Sequence, residues 1–460
     1  MADTRLIIIG GGLSGLAAGI RAARFGRDVL ILEQHFRPGG LNSYYYREGH
    51  LLETGLHAMT NFARPGVKNA PLNRLFRQLK LSRREFLTHE QLGSEIVFPG
   101  RTLRFSNDLS LLKEEIAREF PACADRFAEL VRKVREFDPF APRPWSSARD
   151  FLSSILRDRE LEDMLLLPLM VYGNSEEHDM DLAQFVIMFQ AVYLEGFFRP
   201  AGTIREFLDM LVAHFQGFGG EIRYRARVRQ VLMDGERAVG VELEDGSREG
   251  CGAVLSTIGL PGTAQLTGWD LDLERHSGRM SFMETINLLP RQAVDRIRGD
   301  RTIIFFSNSG ELAYHRPVEP LDPSWGVICF PENFRDLPPA DPFQLRVTNA
   351  ANYDLWKEAQ GEQYERMKEE WAVRSAAEAG KIIGNYLEDV VYVNSFTPVT
   401  IERFTAKAAG AVYGSPVKFR DGRTPYSNVF LAGTDQGFLG IVGSMLSGVS
   451  IVNQHLLNEK

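Results

Sequence analysis

The sequence predicts an α/β fold: a Rossmann-type dinucleotide-binding domain interleaved with an α+β, helix-rich substrate domain. Three observations carry that prediction. A strand, a glycine-rich turn, a helix and a second strand fit within residues 5–33. A strand ending in Gly433-Thr434-Asp435 lies near the other end of the chain. Between them, residues 76–198 read mostly as amphipathic helix.

Arg5-Leu6-Ile7-Ile8-Ile9 is short, continuous and β-branched, the signature of a buried parallel strand. Residues 16–25 are helix-prone and rich in small side chains, and Gly26 stops that helix. Residues 28–33 form the next strand. This is the βαβ unit that a dinucleotide fold requires. Apolar runs at 161–171 and 182–198 read as core helices or as the wall of an apolar cavity. Residues 204–219 form a helix ending at glycine. Residues 221–232 and 238–243 pair as a β-meander across Asp234-Gly235, with a further turn at Asp245-Gly246. Residues 252–259 read as a buried strand. The region 263–394 is mixed, with strand-like pieces at 302–306 and 326–330, a proline-rich loop at 331–342 and a charged helical stretch at 354–387. Residues 428–433 are a strand and 444–457 a helix. This order assigns 1–75, 200–262 and 396–460 to the nucleotide domain, and 76–199 and 263–395 to the substrate domain.

The chain of 460 residues carries a net charge of −7, which gives no broad basic surface for nucleic acid. Its three cysteines, Cys123, Cys251 and Cys329, form neither a zinc spacing nor a disulfide framework, so a reducing, cytoplasmic setting is expected. No signal peptide is expected, and no apolar run is long enough for a transmembrane helix.

Gly10-Gly11-Gly12-Leu13-Ser14-Gly15 fits G-x-G-x-x-G. Gly10 serves the tight turn, Gly12 lets backbone approach a pyrophosphate, and Gly15 lets the helix sit close to the sheet. The helix N-terminus, at Leu13 and Ser14, offers free N–H groups and partial positive charge to phosphates. Glu33, at the end of the second strand, is placed to accept hydrogen bonds from a ribose diol. Gln34-His35-Phe36-Arg37-Pro38-Gly39-Gly40-Leu41 follows. It resembles the stretch that lies along FAD in flavoproteins with two dinucleotide-binding domains, where the arginine sits near phosphates or flavin. Glu53-Thr54-Gly55-Leu56-His57 adds another acid–glycine element. At the far end, Gly433 and Asp435 can place a carboxylate near ribitol hydroxyls. The helix opening at Ile441, Val442 and Ser444 points its positive end at the cofactor. Contacts beyond one βαβ unit suit a cofactor as long as FAD rather than NAD.

Together these motifs resemble the FAD-dependent phytoene desaturase, carotenoid isomerase and retinol saturase group of the amine-oxidase-like flavoproteins. Gly55-x-His57 is similar to its retinol saturase and carotenoid isomerase side. Arg199-Pro200-Ala201-Gly202-Thr203 resembles its Pro-x-Gly-Gly element, with Gly202-Thr203 in place of Gly-Gly. Val228 matches the position whose backbone meets adenine. Thr397-Pro398 and Gly410-Ala411-Val412-Tyr413-Gly414 resemble the stretch before the last FAD strand. The resemblance implies hydrogen transfer across C–C bonds of an apolar isoprenoid, or redox-assisted isomerisation, with hydride exchange carried by the flavin. It implies an apolar tunnel, for which Met164, Met170, Phe185, Met188, Phe189, Phe197 and Phe198 are lining candidates. Each of them also has a plain reading as core. His57 and Tyr413 are the candidate catalytic side chains. Because isoprenoids partition into bilayers, peripheral membrane contact is expected. Two alternatives stay open: a flavin amine oxidase on a smaller amine, and a non-enzymatic prenyl-binding escort protein of the same fold. The sequence shows no metal motif.

Overall fold

The computed structural model describes residues 5–55 and 58–457. Leu6–Ile9 and Val29–Leu32 are buried along their whole length. They lie inside a five-stranded parallel sheet whose order is Val429–Leu431, Ala253–Ser256, Leu6–Ile9, Val29–Leu32, Glu221–Arg223. Both faces of the sheet are covered, which explains the continuous apolar runs. One face packs on the helices Leu13–Ala23, Ile204–Gly217 and Gly440–Ile451 through Leu16, Leu211, Phe215, Met445 and Val449. The other packs on an antiparallel ribbon of Val228–Asp234, Arg237–Leu243 and Arg248–Gly250.

The stretch 221–232 is therefore not one strand. Its first part joins the parallel sheet, the chain turns at Arg225 (φ +55°), and the ribbon starts at Val228. The resemblance to a Pro-x-Gly-Gly element ends in a helix start with its own logic. Thr203 Oγ1 accepts the Glu206 N–H at 3.3 Å and Glu206 Oε2 accepts the Thr203 N–H at 2.7 Å, a capping box. Thr203→Ala is expected to lower stability by about 1 kcal/mol, read as a shift in the urea midpoint with an unchanged slope.

The second sheet has seven strands, in the order Tyr392–Phe396, Ser281–Leu289, Phe343–Ala351, Leu321–Cys329, Ile303–Ser307, Ser94–Phe98, Arg101–Phe105. Only the pairing of Ile303–Ser307 with Ser94–Phe98 is parallel. Five of these strands correct the sequence-based expectation, which had helix across 94–105 and no strand at 281–289, 343–351 or 392–396. Ser281–Leu289 is buried at every position, so its sequence does not alternate. The helices Leu109–Glu119, Ala124–Glu136, Ala148–Ile155, Arg159–Gly173 and Leu182–Phe189 cover one face of this sheet. Gly361–Ile383 covers the other. The charged stretch 354–387 is thus two helices, Tyr353–Glu358 and Gly361–Ile383. Met164, Met170, Phe185, Met188, Phe189 and Phe197 all sit in the first core, whereas Phe198 belongs to the core under the parallel sheet. Among the described residues, no helix is long and apolar enough to cross a membrane.

Candidate active site

The parallel sheet delivers the phosphate loop at its carboxyl edge. Gly10 donates its N–H to the Leu32 carbonyl at 2.9 Å, and Gly39 donates to the Gly11 carbonyl at 3.0 Å. Residues 39–40 are thereby laid beside Gly12, with which Gly39 forms an isolated parallel bridge. The helix Leu13–Ala23 starts at Gly12 with no side-chain cap. Its first N–H groups, left without a side-chain cap next to Gly39 and Gly40, are the kind that an anion site uses.

Glu33 is 7% exposed. Its Oε2 accepts the Gly11 N–H at 2.7 Å and its Oε1 the His35 N–H at 2.8 Å. Burial pushes this carboxyl up, and those backbone donors pull it back. With the Gln34 N–H as a third backbone donor, one of a carboxylate's about four acceptor sites remains for a ribose hydroxyl. Ala226 donates to the Glu33 carbonyl at 2.9 Å and Arg225 to the His35 carbonyl at 3.0 Å, which brings buried Val228 to the same end of the site. Gln34 is half-buried beside them.

Arg37 turns to its own loop. It donates to the Tyr44 carbonyl at 2.6 Å and stacks on the Phe36 and Tyr44 rings at 4.3 and 4.6 Å. The carbonyl of Leu41 accepts the Thr54 hydroxyl at 3.0 Å, which ties residues 39–41 to Gly55. Leu56 and His57 lie outside the described residues.

Glu53, read from sequence as part of a cofactor element, is a structural anion. Its Oε2 takes Arg199 Nη2 at 2.6 Å and its Oε1 takes the Ile204 N–H at 2.6 Å. The pair fastens the hairpin Tyr44–Arg47/His50–Glu53 to the start of Ile204–Gly217.

The C-terminal elements close the site from the other side. Ser14 Oγ donates to the Ser444 carbonyl at 2.7 Å, and Gly433 donates to Ser447 Oγ at 2.6 Å. Gly440–Ile451 also begins without a side-chain cap, with Ile441 and Val442 buried in its first turn. The first turn of Leu13–Ala23 is therefore joined to the second turn of Gly440–Ile451 through Ser14 and Ser444. Asp435 bonds backbone through both oxygens: Oδ2 accepts the Leu260 N–H at 2.6 Å and Oδ1 the Ser415 N–H at 2.5 Å. Its carboxylate holds the loops at 259–260 and 414–415 against the end of Val429–Leu431, beside any ribitol role.

Tyr413 donates its hydroxyl to the Val171 carbonyl and packs edge-on to Phe282 at 6.1 Å. Burial holds its phenol well above the usual range, so it stays neutral. Sequence reasoning missed Lys418 and Glu195. Lys418 Nζ donates to the carbonyls of Tyr413 (2.9 Å) and Thr434 (3.2 Å). Burial is the largest influence on its ammonium and pulls it down to about 8. Glu195 bonds to Asn61 at 2.8 Å, and burial pushes its carboxyl up to about 7. Neither sits in a motif: Lys418 is defined by carbonyls 5 and 16 residues away, and Glu195 by an amide 134 residues earlier. Among the described residues there is no cluster of metal-ligating side chains.

These residues suit FAD on the structure's own terms. Two uncapped helix N-termini can take its pyrophosphate and the polar edge of its ring. A carboxylate with a spare acceptor site lies one strand away. The gap at Gly12 has backbone rather than side chains as its nearest neighbours, Gly39 O and Gly40 Cα, both 3.9 Å from where a Cβ would lie.

Comparison with known proteins agrees. The family described as flavin containing amine oxidoreductase matches residues 13–294. The chain is 22% identical to all-trans-retinol 13,14-reductase of Danio rerio, covering 99% of this chain and 87% of that one. It is 22% identical to prolycopene isomerase 1, chloroplastic, of an Oncidium hybrid cultivar, covering 90% and 76%. It is 23% identical to the lycopene-forming phytoene desaturase of Pantoea ananas, covering 72% and 67%. Among solved structures, an oxidoreductase from Methanosarcina mazei superposes with a TM-score of 0.67 at 17% identity, covering 98% of this chain and all (100%) of that one. A putrescine oxidase bound to putrescine superposes with a TM-score of 0.60 at 16% identity, covering 97% of each chain. At such identities the superpositions speak for the shared fold.

Proposed function

From the premise that this chain belongs to the flavin containing amine oxidoreductase family, with FAD as its cofactor, we propose that it moves hydrogen across a C–C bond of an apolar isoprenoid of carotenoid or retinoid type. The observation that carries this reading is the extent of the similarity. It covers 99% of the chain against the retinol reductase, so it runs through the inserted helical segments as well as the phosphate loop.

Bound FAD supplies hydride exchange at its flavin ring. The chain's part is to hold and orient. Gly10, Gly12, Leu13, Ser14 and Gly15 hold the pyrophosphate. Glu33 and Gln34 hold the ribose, and the Val228 backbone meets adenine. Gly39, Gly40, Leu41 and Gly55 flank the extended cofactor, with Arg37 buttressing that loop through Tyr44. Gly433, Asp435, Ile441, Val442 and Ser444 complete the flavin end. Tyr413, its hydroxyl tied to the Val171 carbonyl, would stand beside the substrate, and His57, outside the described residues, stays a catalytic candidate. The packed apolar side chains of the large helical core exclude water from a polyene held beside the ring.

The test is a turnover panel with the purified flavoprotein. Carotenoids, retinoids and polyprenols are set against short amines, with flavin absorbance followed under anaerobic conditions. Change of the polyene spectrum with inert amines is expected. Amine consumption with inert polyenes would overturn the reading in favour of an amine oxidase, and absence of flavin would favour an escort role. Substrates of this class partition into bilayers, so the proposal includes peripheral membrane contact, checked by liposome flotation of the same preparation.

A further inference from the structure

Residues 58–62 run from the FAD-flanking loop to the open end of the C-terminal helix. The Thr60 hydroxyl faces Gly440, lying 3.1 Å from where a Cβ on that glycine would sit. Met59 and Phe198 exchange backbone hydrogen bonds of 2.7 and 2.9 Å, which fixes this strip against residues 195–198. The next residue, Asn61, has a left-handed backbone (φ +67°). Asparagine tolerates this conformation better than most residues, though at some cost. What the geometry secures is the direction of its side chain. Asn61 Nδ2 donates to Glu195 Oε2 at 2.8 Å, its Oδ1 accepts the Thr60 hydroxyl at 3.0 Å, and its N–H donates to the Ala191 carbonyl at 3.2 Å.

Glu195 closes a π-helical turn, Gln190–Glu195. Such turns carry an inserted residue and recur at functional sites. Beyond it, Asn107 clamps Phe197 in both directions, accepting its N–H at 2.8 Å and donating to its carbonyl at 3.0 Å. The backbone just after Glu195 is thus fixed, and the carboxyl itself is held by the Asn61 amide. Burial pushes it up to about 7, opposed only by the Asn61 amide, with no charged side chain contributing. The nearest charge in sequence, Arg199, is spent on Glu53. The other carboxyl raised to about 7, Glu332, lies in the field of Arg199 and Arg346 instead.

We propose that Glu195, aimed by Asn61, exchanges the proton that accompanies hydride transfer at the substrate's C–C bond. The proposal rests on the functional reading above. In the saturating direction reduced FAD, when bound, would supply hydride to one carbon of the double bond. The Glu195 O–H bond breaks, a C–H bond forms on the neighbouring carbon, and the carboxylate left behind is reprotonated from water. In the desaturating direction Glu195 starts as the carboxylate and receives the proton, while oxidised FAD, when bound, would take the hydride. Asn61 is a positioning residue. By donating to the carboxylate it lowers the proton affinity of Glu195.

The test uses the FAD-loaded protein and two readouts. Infrared difference titration of wild type against Glu195→Gln should reveal a carboxylic-acid carbonyl band titrating near pH 7. In Asn61→Ala that band should titrate at higher pH. With the polyene that the wild type turns over, Glu195→Gln should lose about 10²–10⁴-fold in kcat. It should also lose the pH dependence centred near 7 and keep its FAD affinity and unfolding midpoint, while Glu195→Asp keeps part of the rate. A Glu195→Gln protein as active as wild type, with the same pH profile, would overturn the proton assignment alone. So would the absence of a band titrating near 7. A titrating band in a wild type inert to every polyene would overturn the functional reading and leave Glu195 standing as a buried proton-exchanging group.

Discussion

Arg199→Met is expected to destabilise the protein by about 3–5 kcal/mol, the usual cost of removing one partner from a buried ion pair. Arg199 is 8% exposed and Glu53 3%. Once Arg199 is gone, Glu53 keeps, among the described residues, the Ile204 N–H at 2.6 Å as its donor. Burial by itself would raise the Glu53 carboxyl. The charges of Arg199 and Arg346 and the hydrogen bonds from Arg199 and Ile204 outweigh it and hold the carboxyl below its ordinary range. A folded-state value below the unfolded one stabilises fully above the unfolded value of about 4.3, and that contribution is lost as pH falls through the folded value. In the variant burial dominates the Glu53 carboxyl, so its protonation at low pH relieves the unpaired charge, and the gap to wild type should narrow as pH falls through the carboxylate range. Adding Glu53→Gln to it should recover part of the loss, since no buried charge then stands alone. Urea unfolding at pH 7 and at pH 4–5 checks both effects. A single variant within about 1 kcal/mol of wild type would contradict the account.

Gly448→Ala should weaken both the fold and the hold on FAD. A Cβ there would fall 2.1 Å from the Ser14 carbonyl oxygen and 3.1 Å from the Ala18 nitrogen. Both are backbone atoms of the phosphate-loop helix, so no rotamer change relieves the clash. The two helices must separate, and the overpacking should cost about 1–3 kcal/mol. Separation also strains the Ser14–Ser444 hydrogen bond of 2.7 Å and spreads the two open N-termini. Loss of about 1.4 kcal/mol of that interaction would raise the Kd for FAD about tenfold. Gly217→Ala is the control. It sits at the end of a helix with nothing within 4 Å of its Cβ position, so it should leave FAD binding intact. Flavin fluorescence titration reads the affinity, and equal Kd values for the two variants would refute the close-approach argument.

The nucleotide half was legible because its signals are local. The run Leu6–Ile9, the glycines at 10, 12 and 15 and Glu33 all lie within one βαβ unit. The seven-stranded sheet was not, because its logic is distant. Ser281–Leu289 carries Glu284, Thr285 and Asn287 through a fully buried strand. Their partners are Arg346 and Thr348 for Glu284, Ser395 for Thr285 and the Leu345 carbonyl for Asn287. None of these is near in sequence, so the pattern reads as neither alternating nor apolar. The turn Pro99-Gly100 between Ser94–Phe98 and Arg101–Phe105 was readable, and the helical context of 76–198 concealed it. At the site, Glu53 and Asp435 show a limit of motif reading. Their partners could not be read from the motifs: Arg199 and the Ile204 N–H for Glu53, and the Leu260 and Ser415 N–H groups for Asp435. Glu195 is the converse case. Its partner Asn61 is 134 residues earlier, so no spacing rule could have selected it.

The join between Ser14 and Ser444 spans 430 residues. Each helix N-terminus is an incomplete half until the other arrives. During synthesis at about 5–20 residues per second, the phosphate loop therefore waits roughly 20–90 s for its counterpart. Its strand waits as well for Ala253–Ser256 and then for Val429–Leu431 to complete that side of the sheet. Flavin capture is in this sense one of the last acts of biogenesis. A nascent chain stalled before its final helix would expose a folded-looking phosphate loop with no means of retaining the cofactor.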